Sequence, residues 1–313
     1  MKVIFFGTPI FAANVLTFLF ENTIDVVAVV TKPDKPTGRS GQPVPTPVKT
    51  VSMEHDPSIP VFQPEKVSAP EFANILPPFD ADLFVVVAYG EILKQPILDM
   101  PRLGCINVHA SLLPKYRGAA PIQRAIINGE AETGITIMHM VRKMDAGGMI
   151  KTAKIPIGPN DTFGQIEQQL CGLGSKVLLD VIRDFEKGNI TEVPQEESQV
   201  LYAPKIELED CEIDWNLPAQ AIHNLVRGVN PYPGAWCFVT GKGKKKRLKI
   251  KATRVVEGVL EAPGKILSCD SEGMVVSCSQ GAVRILELQL EGKQPMTPDQ
   301  LQRGSPITFR SDV

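Results

Sequence analysis

Apolar runs and amphipathic stretches alternate along the first half of the chain. Runs of β-forming apolar residues occupy 2–6, 26–30, 82–87 and 105–108, and residues 11–20 carry apolar side chains at helical spacing behind Pro9. Apolar strands that alternate with helices are typical of a mostly parallel sheet with helices on both faces. The pattern predicts an α/β, Rossmann-like N-terminal domain, and such open sheets bind ligands beyond the carboxyl ends of their strands.

The pattern changes after residue 188. Residues 162–187 predict one long helix that ends before Gly188, and 189–206 are polar. A short helix at 219–229 is followed by short apolar runs at 235–239, 247–252, 264–268, 274–277 and 283–290. Short strands with glycine turns are typical of a small antiparallel, OB-like β-barrel. We therefore predict a catalytic domain over 1–188, a linker over 189–206 and a barrel domain over 207–313.

The composition is that of an ordinary globular chain. Its 313 residues are 43% hydrophobic and 22% charged, and the net charge of −2 does not by itself indicate a polyanionic partner. The six cysteines include no Cys-x-x-Cys pair, which favours reduced thiols over a zinc or redox motif. Gly7-Thr8-Pro9 interrupts the apolar N-terminus, and no run approaches the roughly 18 residues of a membrane span. A cytoplasmic location is expected, with an organellar one after import processing as the alternative.

The connections between the predicted strands narrow the choice of ligand. The turn after the first strand lacks the Gly-x-Gly-x-x-Gly fingerprint, so the sheet does not predict a dinucleotide. Residues 31–49 are rich in proline and glycine, are too long for a plain connection, and carry the cations Lys32, Lys35 and Arg39. We interpret this segment as a mobile functional loop, and the alternative is a disordered insertion of no consequence.

Two polar residues end an otherwise apolar strand. Asn107 and His109 are two positions apart and share one face of that strand. Both are also compatible with a purely structural role as satisfied polar groups. Residues 134–150, however, predict a strand and then a loop with Asp145 and two glycines, which allow a tight turn toward a neighbouring strand end. A carboxylate placed there would orient the His109 imidazole.

An amide, an imidazole and a carboxylate lack an obvious nucleophile. The chain has no Gly-x-Ser-x-Gly elbow, and no cysteine lies in a comparable setting. The three groups are better suited to stabilising an oxyanion and moving a proton than to covalent catalysis, which indicates direct acyl transfer or hydrolysis. The four histidines show no metal-ligand spacing, so no metal is expected.

Several motifs together resemble one known family. They extend over nearly the whole chain and read FFGTPIFAANVL, TKPDKPTGR, VVVAYGEIL, INVHASLLP, YRGAAPIQ, LYAPKI, IDWN, NPYPGAW and PGKI. On these motifs the protein is identified as a member of the folate-dependent formyltransferase family. The resemblance implies transfer of the formyl group of 10-formyltetrahydrofolate to the α-amino group of methionyl initiator tRNA. Apart from the resemblance, we expect a monomer with no membrane partner.

The resemblance also implies which residues act. Asn107 and His109 would stabilise a tetrahedral oxyanion after direct attack by the amine, and Asp145 would aid the proton relay. The folate would lie against a turn after the strand and against backbone at the preceding strand end, a set formed by Ser111, Leu112, Leu113, Pro114, Val87, Tyr89 and Gly90. The family usually has an acidic residue at the position of Gly148, and its absence is expected to loosen the loop without removing Asp145.

A basic run lies in the predicted barrel domain. Residues 241–254 read GKGKKKRLKIKATR and contain no acid. Such a run is usually a solvated hairpin, but its place on an OB-like barrel favours contact with RNA phosphates. The expected contacts with tRNA are Lys244, Lys245, Lys246 and Arg247, joined by Lys205 at the end of the linker and, by the resemblance, by Arg39.

Two other functions stay open. A 10-formyltetrahydrofolate hydrolase or a small-molecule formyltransferase would use the same three polar residues, although neither needs the basic run or the second domain. A catalytically idle RNA-binding protein would need the basic run but has no use for Asn107, His109 and Asp145.

Overall fold

The computed structural model describes residues 1–36, 41–241, 244–258, 261–304 and 307–309, and the chain divides into two units. The first unit consists of Met1–Gly118, Thr133–Ile155 and Glu167–Tyr202, and the second consists of Ala119–Glu132, Pro156–Ile166 and Ala203–Val313. Two short segments that precede residue 167 thus belong to the second unit. The domain boundaries at 188 and 207 stay a prediction.

The strands and helices of the described residues are numbered in chain order. The strands are β1 (Lys2–Gly7), β2 (Asp25–Val30), β3 (Lys35–Pro36), β4 (Pro43–Val44), β5 (Val61–Phe62), β6 (Leu83–Val87), β7 (Cys105–His109), β8 (Arg117–Gly118), β9 (Glu132–His139), β10 (Met149–Pro156), β11 (Tyr202–Ala203), β12 (Ala235–Gly241), β13 (Lys244–Val256), β14 (Ile266–Asp270), β15 (Gly273–Ser277), β16 (Ala282–Leu290) and β17 (Ile307–Phe309). The helices are α1 (Ile10–Glu21), α2 (Pro47–His55), α3 (Pro70–Ala73), α4 (Gln95–Leu98), α5 (Pro121–Ile127), α6 (Phe163–Glu186), α7 (Ala219–Gly228) and α8 (Pro298–Gly304).

The main sheet of the first unit has the order β10-β9-β7-β6-β1-β2-β5. The pairs β5/β2, β2/β1, β1/β6 and β6/β7 are parallel, and β9 is antiparallel to β7. The side chains of β6 are all buried, as are those of β1 after Lys2. A strand covered on both faces exposes neither face to solvent, so its residues form a continuous apolar run in the sequence. The predicted mostly parallel α/β fold is confirmed.

The long helix α6 begins and ends where local chemistry favours it. The Thr162 hydroxyl accepts a hydrogen bond from the Gln165 backbone N–H, and the Gln165 side chain accepts one from Thr162 N–H, so two donors at the helix start are satisfied reciprocally. After the helix, Gly188 has a φ of +72°, a left-handed conformation that favours glycine.

The second unit contains a six-stranded sheet with the order β14-β15-β16-β13-β12-β17. Every pair of neighbouring strands in it is antiparallel, and the sheet forms a nearly closed barrel, as predicted. Its core includes Trp236, Leu248, Ile250 and Ile285. On β13 the buried Leu248 and Ile250 alternate with partly exposed cations, so the strand presents a charged outer face.

Candidate active site

Asn107 and His109 lie at the carboxyl end of β7, in the interior of the main sheet. Asn107 is aligned with Val86 of β6 on one side and with Met138 of β9 on the other, and His109 is aligned with Thr136. The half-buried Asn107 side chain makes no hydrogen bond within the ranges that the structure describes. An amide with an open donor at the end of a buried strand is suited to bind an oxygen atom of a ligand.

The His109 imidazole has an oxygen atom near each of its two ring nitrogens. Its side chain is 5% exposed, Nε2 lies 2.9 Å from the Tyr116 carbonyl oxygen, and Nδ1 lies 3.7 Å from Oδ2 of Asp145. The structure therefore brings together the histidine and the carboxylate that the sequence pattern pairs, although they are far apart along the chain. The catalytic roles of Asn107, His109 and Asp145 stay predictions.

Asp145 occupies a strained position in the loop between β9 and β10. Its φ is +49°, in the left-handed region that non-glycine residues rarely adopt. One carboxylate oxygen accepts a hydrogen bond from the Gly118 N–H at 2.8 Å. At Gly147 a Cβ would collide with the His139 carbonyl oxygen, so the loop needs a glycine there to pass close to β9.

Polar residues from outside this loop hold its main chain. The Gln195 amide donates to the carbonyl oxygens of Asp145 and Gly147 at 2.8 and 2.9 Å, and its oxygen accepts from Arg117 Nε at 3.0 Å. Arg117 is fully buried and also binds Glu197 at 2.9 Å. None of these contacts is predicted from the sequence, where Gln195 and Glu197 lie in the polar linker. A glutamine there gives no local signal that its partners lie 50 and 78 positions away.

An acidic residue from outside the loop, Glu192, lies beside Gly148. Oε1 of Glu192 lies 2.5 Å from Nδ1 of His139, and the Glu192 carboxylate lies beside Gly148, in the space that a Cβ there would take. The backbone of Gly148 accepts a hydrogen bond from the His139 N–H at 3.0 Å. A carboxylate thus lies next to the loop although residue 148 does not supply it.

The turn predicted to bind folate is held by internal hydrogen bonds. The Ser111 hydroxyl donates to the Lys115 carbonyl oxygen at 2.7 Å, and the Ser111 carbonyl oxygen accepts from the Thr136 hydroxyl at 2.7 Å. The Thr136 hydroxyl also accepts from Leu113 N–H at 3.2 Å. Ser111 and Leu113 are buried, whereas Leu112 and Pro114 are half-buried. The Ser111 hydroxyl is therefore occupied within the turn. A ligand would contact the half-buried side chains of Leu112 and Pro114 instead.

At the end of the preceding strand, β6, main-chain atoms are more accessible to a ligand than side chains are. Val87 and Tyr89 are buried, and the Tyr89 ring packs edge-on against Phe6, where burial raises the pKa of the phenol. The Tyr89 carbonyl oxygen accepts from the Thr8 hydroxyl at 2.9 Å. Gly90 is exposed with a φ of +87°. A ligand at this edge of the sheet would contact the main chain near Gly90 rather than the two buried side chains.

The cations predicted to contact tRNA line β13 of the second unit. Lys244, Lys245 and Lys246 are exposed, and Arg247 is half-buried. The Arg247 guanidinium lies 4.2 Å from the centre of the Trp236 ring, and the Lys245 ammonium lies 3.7 Å from that of Phe238. Cations stacked on aromatic rings are held in place while keeping their charge toward solvent.

Lys205 and Arg39 are the two other cations predicted to contact tRNA. Lys205 is 73% exposed, and its ammonium lies 3.4 Å from Glu207. Arg39 lies outside the described residues. At the base of its segment, β3 and β4 pair, and the hydroxyls of Thr31 and Thr46 are 2.8 Å apart.

The described part of the chain lacks two further features. It contains no cluster of three or more His, Cys, Asp or Glu side chains arranged to hold a metal ion. None of the helices described above combines the length and the apolar character needed to cross a membrane.

Comparison with known families covers most of the chain. Residues 1–182 match the family model described as "Formyl transferase", and residues 205–306 match "Formyl transferase, C-terminal domain". A relative from Protochlamydia amoebophila named "Methionyl-tRNA formyltransferase" is 57% identical over 97% of this chain and 95% of its own length. A protein of the same name from Geobacter metallireducens is 44% identical over 97% of this chain and 96% of its own.

Solved structures share the fold at low sequence identity. The sugar 3N-formyl transferase WlaRD, solved with dTDP and 5-N-formyl-THF, matches with a TM-score of 0.67 and 18% identity over 94% of this chain and 99% of its own. HypX from Aquifex aeolicus, solved with tetrahydrofolic acid, matches with a TM-score of 0.65 and 17% identity over 96% of this chain. This chain spans about half of HypX, 47% of its length.

Proposed function

Because the chain belongs to the formyl transferase family, we propose that it transfers the formyl group of 10-formyltetrahydrofolate to the α-amino group of methionyl initiator tRNA. The observation that carries this proposal is the relative of that name, 57% identical over nearly the full length of both chains. The polar constellation at the end of β7 supports it, because acyl transfer to an amine needs an oxyanion site and a proton acceptor but no protein nucleophile.

Asn107 and His109 are assigned to the developing oxyanion. When the amine nitrogen attacks the formyl carbon, the carbonyl oxygen takes up negative charge in a tetrahedral intermediate. Preorganised donors at that oxygen lower the barrier, and each is typically worth about 10²–10³ in rate. The open amide of Asn107 and the place of His109 two residues further along the same strand support this assignment.

Asp145 is assigned to the proton relay together with His109. The C–N bond to the amine forms first, and the C–N bond to the folate nitrogen N10 breaks when the tetrahedral intermediate collapses, so one proton has to leave the amine and one has to reach N10. A carboxylate 3.7 Å from an imidazole nitrogen provides two neighbouring groups able to accept and pass on that proton. Proton balance is complete without any further reactant.

The folate donor is proposed to bind along residues 111–114 and the backbone at 87–90. A turn fixed by hydrogen bonds, with half-buried apolar Leu112 and Pro114, suits a flat ring system that needs one apolar surface and a few main-chain partners. The solved relatives that carry tetrahydrofolic acid or 5-N-formyl-THF share this fold, which supports a folate co-substrate.

The tRNA is proposed to contact the basic face of β13. Exposed lysines and a stacked arginine supply charge for phosphate groups, whose neutralisation releases counterions and strengthens binding at low salt. A small acceptor such as an amino sugar would need no such face, which favours a nucleic-acid acceptor over the small-molecule alternative.

One assay tests the function against its alternatives. Purified protein is incubated with 10-formyltetrahydrofolate and either methionyl initiator tRNA, a small amine acceptor or no acceptor. Formyl-methionyl-tRNA is the expected product. Release of formate without acceptor would instead establish a hydrolase, formylation of the small amine alone would establish a small-molecule transferase, and tRNA binding without any product would leave an idle RNA-binding protein.

A further inference from the structure

We propose that Gln195 is a positioning residue that sets the backbone of the loop carrying Asp145, and thereby the distance between Asp145 and His109. The proposal rests on the function proposed above for those two residues. Gln195 belongs to the polar segment after α6, far along the chain from either of them. It touches no reacting atom, so its effect would pass entirely through the loop.

The contacts of the Gln195 amide are directed at the loop main chain. The single Nε2 group donates to two carbonyl oxygens, at 2.8 Å to Asp145 and 2.9 Å to Gly147. These two carbonyls lie on either side of Ala146, in a turn where Asp145 has a φ of +49°. A non-glycine residue in that region persists when its surroundings over-determine it, and two hydrogen bonds from one amide provide such a constraint.

The orientation of the amide is itself fixed. Its oxygen accepts from Arg117 Nε at 3.0 Å, and a guanidinium has only donors, so a flipped amide would place an NH₂ group against another donor. Arg117 is fully buried, and its Nη2 binds Glu197 at 2.9 Å. The second Glu197 oxygen accepts from Lys143, in the same loop, at 2.6 Å. Lys143 and Arg117 lower the pKa of Glu197, which keeps this carboxylate charged.

The segment 116–118 connects all parts of the arrangement. The carbonyl of its first residue holds His109 Nε2, the Arg117 side chain holds Gln195, and the Gly118 N–H holds the Asp145 carboxylate. Asp145 is thus fixed to this segment twice, directly through its carboxylate and through Gln195 at its carbonyl. Residues 116–118 therefore hold both His109 and Asp145, and Gln195 provides a second link between this segment and Asp145.

The effect expected from this arrangement differs from a loss of general stability. If Gln195 only stabilised the fold, its removal would lower the melting temperature and leave turnover per folded molecule unchanged. If it positions Asp145, its removal would lower kcat with little change in KM for either substrate, since a shift of the order of 1 Å at a reacting group costs up to about 10²-fold.

The test uses the full-length chain and two variants. Gln195→Glu keeps size and the contact with Arg117 but cannot donate to the two carbonyls, and Gln195→Met fills the space without any hydrogen bond. Gln199→Ala is the matched control, because its amide binds Glu196 of the same segment instead of the loop. Steady-state kinetics, the pH profile of kcat and hydrogen–deuterium exchange of the peptide covering 141–149 are measured at a temperature where circular dichroism shows all variants folded.

We expect a decrease in kcat of about 10- to 100-fold in both Gln195 variants, KM values within about threefold of the parent, a displaced pH profile and faster exchange in 141–149. The control should match the parent. Either a kcat within about twofold of the parent in both variants or an unchanged exchange rate in the loop would overturn the proposal. The exchange measurement needs no substrate, so a parent chain inactive on methionyl-tRNA would refute the proposed function while leaving the loop result decisive.

Discussion

Nδ1 of His109 lies 3.7 Å from Oδ2 of Asp145, while Nε2 of the same ring lies 2.9 Å from the Tyr116 carbonyl oxygen. The Nε2 contact has the length of a hydrogen bond, and the Nδ1 contact is longer than one. A neutral imidazole has a single N–H and can donate to only one of these acceptors. The Nδ1 edge is therefore the part of the ring that can change its partner during a reaction, with a carboxylate beside it.

Replacing His109 with alanine should lower kcat by at least about 10²-fold, because the change removes both a hydrogen-bond donor and a proton carrier. Formation of formyl-methionyl-tRNA is measured, with circular dichroism to show that the fold persists. His55→Ala serves as control, since that exposed ring stacks on Phe20 of α1 and should be dispensable for turnover. Near-parental turnover in His109→Ala would remove this histidine from the mechanism.

Replacing Asn107 with aspartate tests the oxyanion assignment at almost constant volume. The change turns a donor into a second acceptor, so kcat is expected to fall by about 10²–10³-fold while KM for the folate changes little. The matched control is Asn22→Asp, which removes an amide donor to the Phe18 carbonyl at the end of α1. If the two variants had equal kcat, the Asn107 amide would have no special role in the transition state.

Replacing Lys244, Lys245, Lys246 and Arg247 together by glutamine should raise KM for tRNA about tenfold at moderate salt. It should also flatten the dependence of log KM on log salt concentration, by roughly 0.7–0.9 for each phosphate that the variant no longer neutralises. KM for the folate and the melting temperature are measured in parallel, because Arg247 and Lys245 also stack on aromatic rings.

The control for the fourfold variant is Lys265→Gln combined with Lys293→Gln, which removes two cations of the same unit outside β13. Its salt dependence should equal that of the parent. An unchanged slope in the fourfold variant would show that the basic run is only a solvated surface.

Stability of the second unit should depend on pH through His223. This ring is buried, with Nδ1 2.9 Å from the Thr253 hydroxyl and Nε2 2.9 Å from the Pro159 carbonyl oxygen. Burial lowers the pKa of His223 below its ordinary 6.5, with Arg227 acting in the same direction and the Pro159 carbonyl against it. The unfolded chain therefore takes up the proton at higher pH than the folded chain does. Its contribution to the free energy of unfolding is complete above about pH 6.5 and diminishes as pH falls toward the lower folded pKa.

Melting temperatures of the parent and of His223→Gln between about pH 7.5 and 5.0 check that expectation. Glutamine keeps one donor and one acceptor but does not titrate in this range. The parent should lose stability more steeply below about pH 6.5 than the variant. Parallel curves would mean that His223 is not the group responsible.

The sequence predicted the parts of this structure that follow from local periodicity. β6 and β7 are recognisable because strands buried on both faces are continuous apolar runs, and the shared face of Asn107 and His109 follows from their spacing of two. β10 is not predicted as a strand, because its side chains are half-buried or exposed and form no apolar run. The glycines after Asp145 correctly indicate a loop that turns back toward β7.

The contacts that fix the site lie beyond local reasoning. Gln195 is 50 positions from Asp145 and 78 from Arg117, and nothing in a polar stretch distinguishes a buried amide partner from a solvated linker. The sequence places Arg117 in a motif but does not indicate that its side chain is buried. Tertiary contacts of this kind depend on which loops the fold brings together, and a single sequence carries no signal of that proximity.

The absence of a side chain at Gly148 leaves the space beside it to Glu192. A substituent at 148 would meet the Glu192 carboxylate, which in turn accompanies His139. Glu192 is exposed, so a larger residue at 148 would displace its side chain from the contact with His139. An aspartate introduced at 148 is therefore expected to be tolerated better when residue 192 is not acidic, because two carboxylates would otherwise compete for the same space.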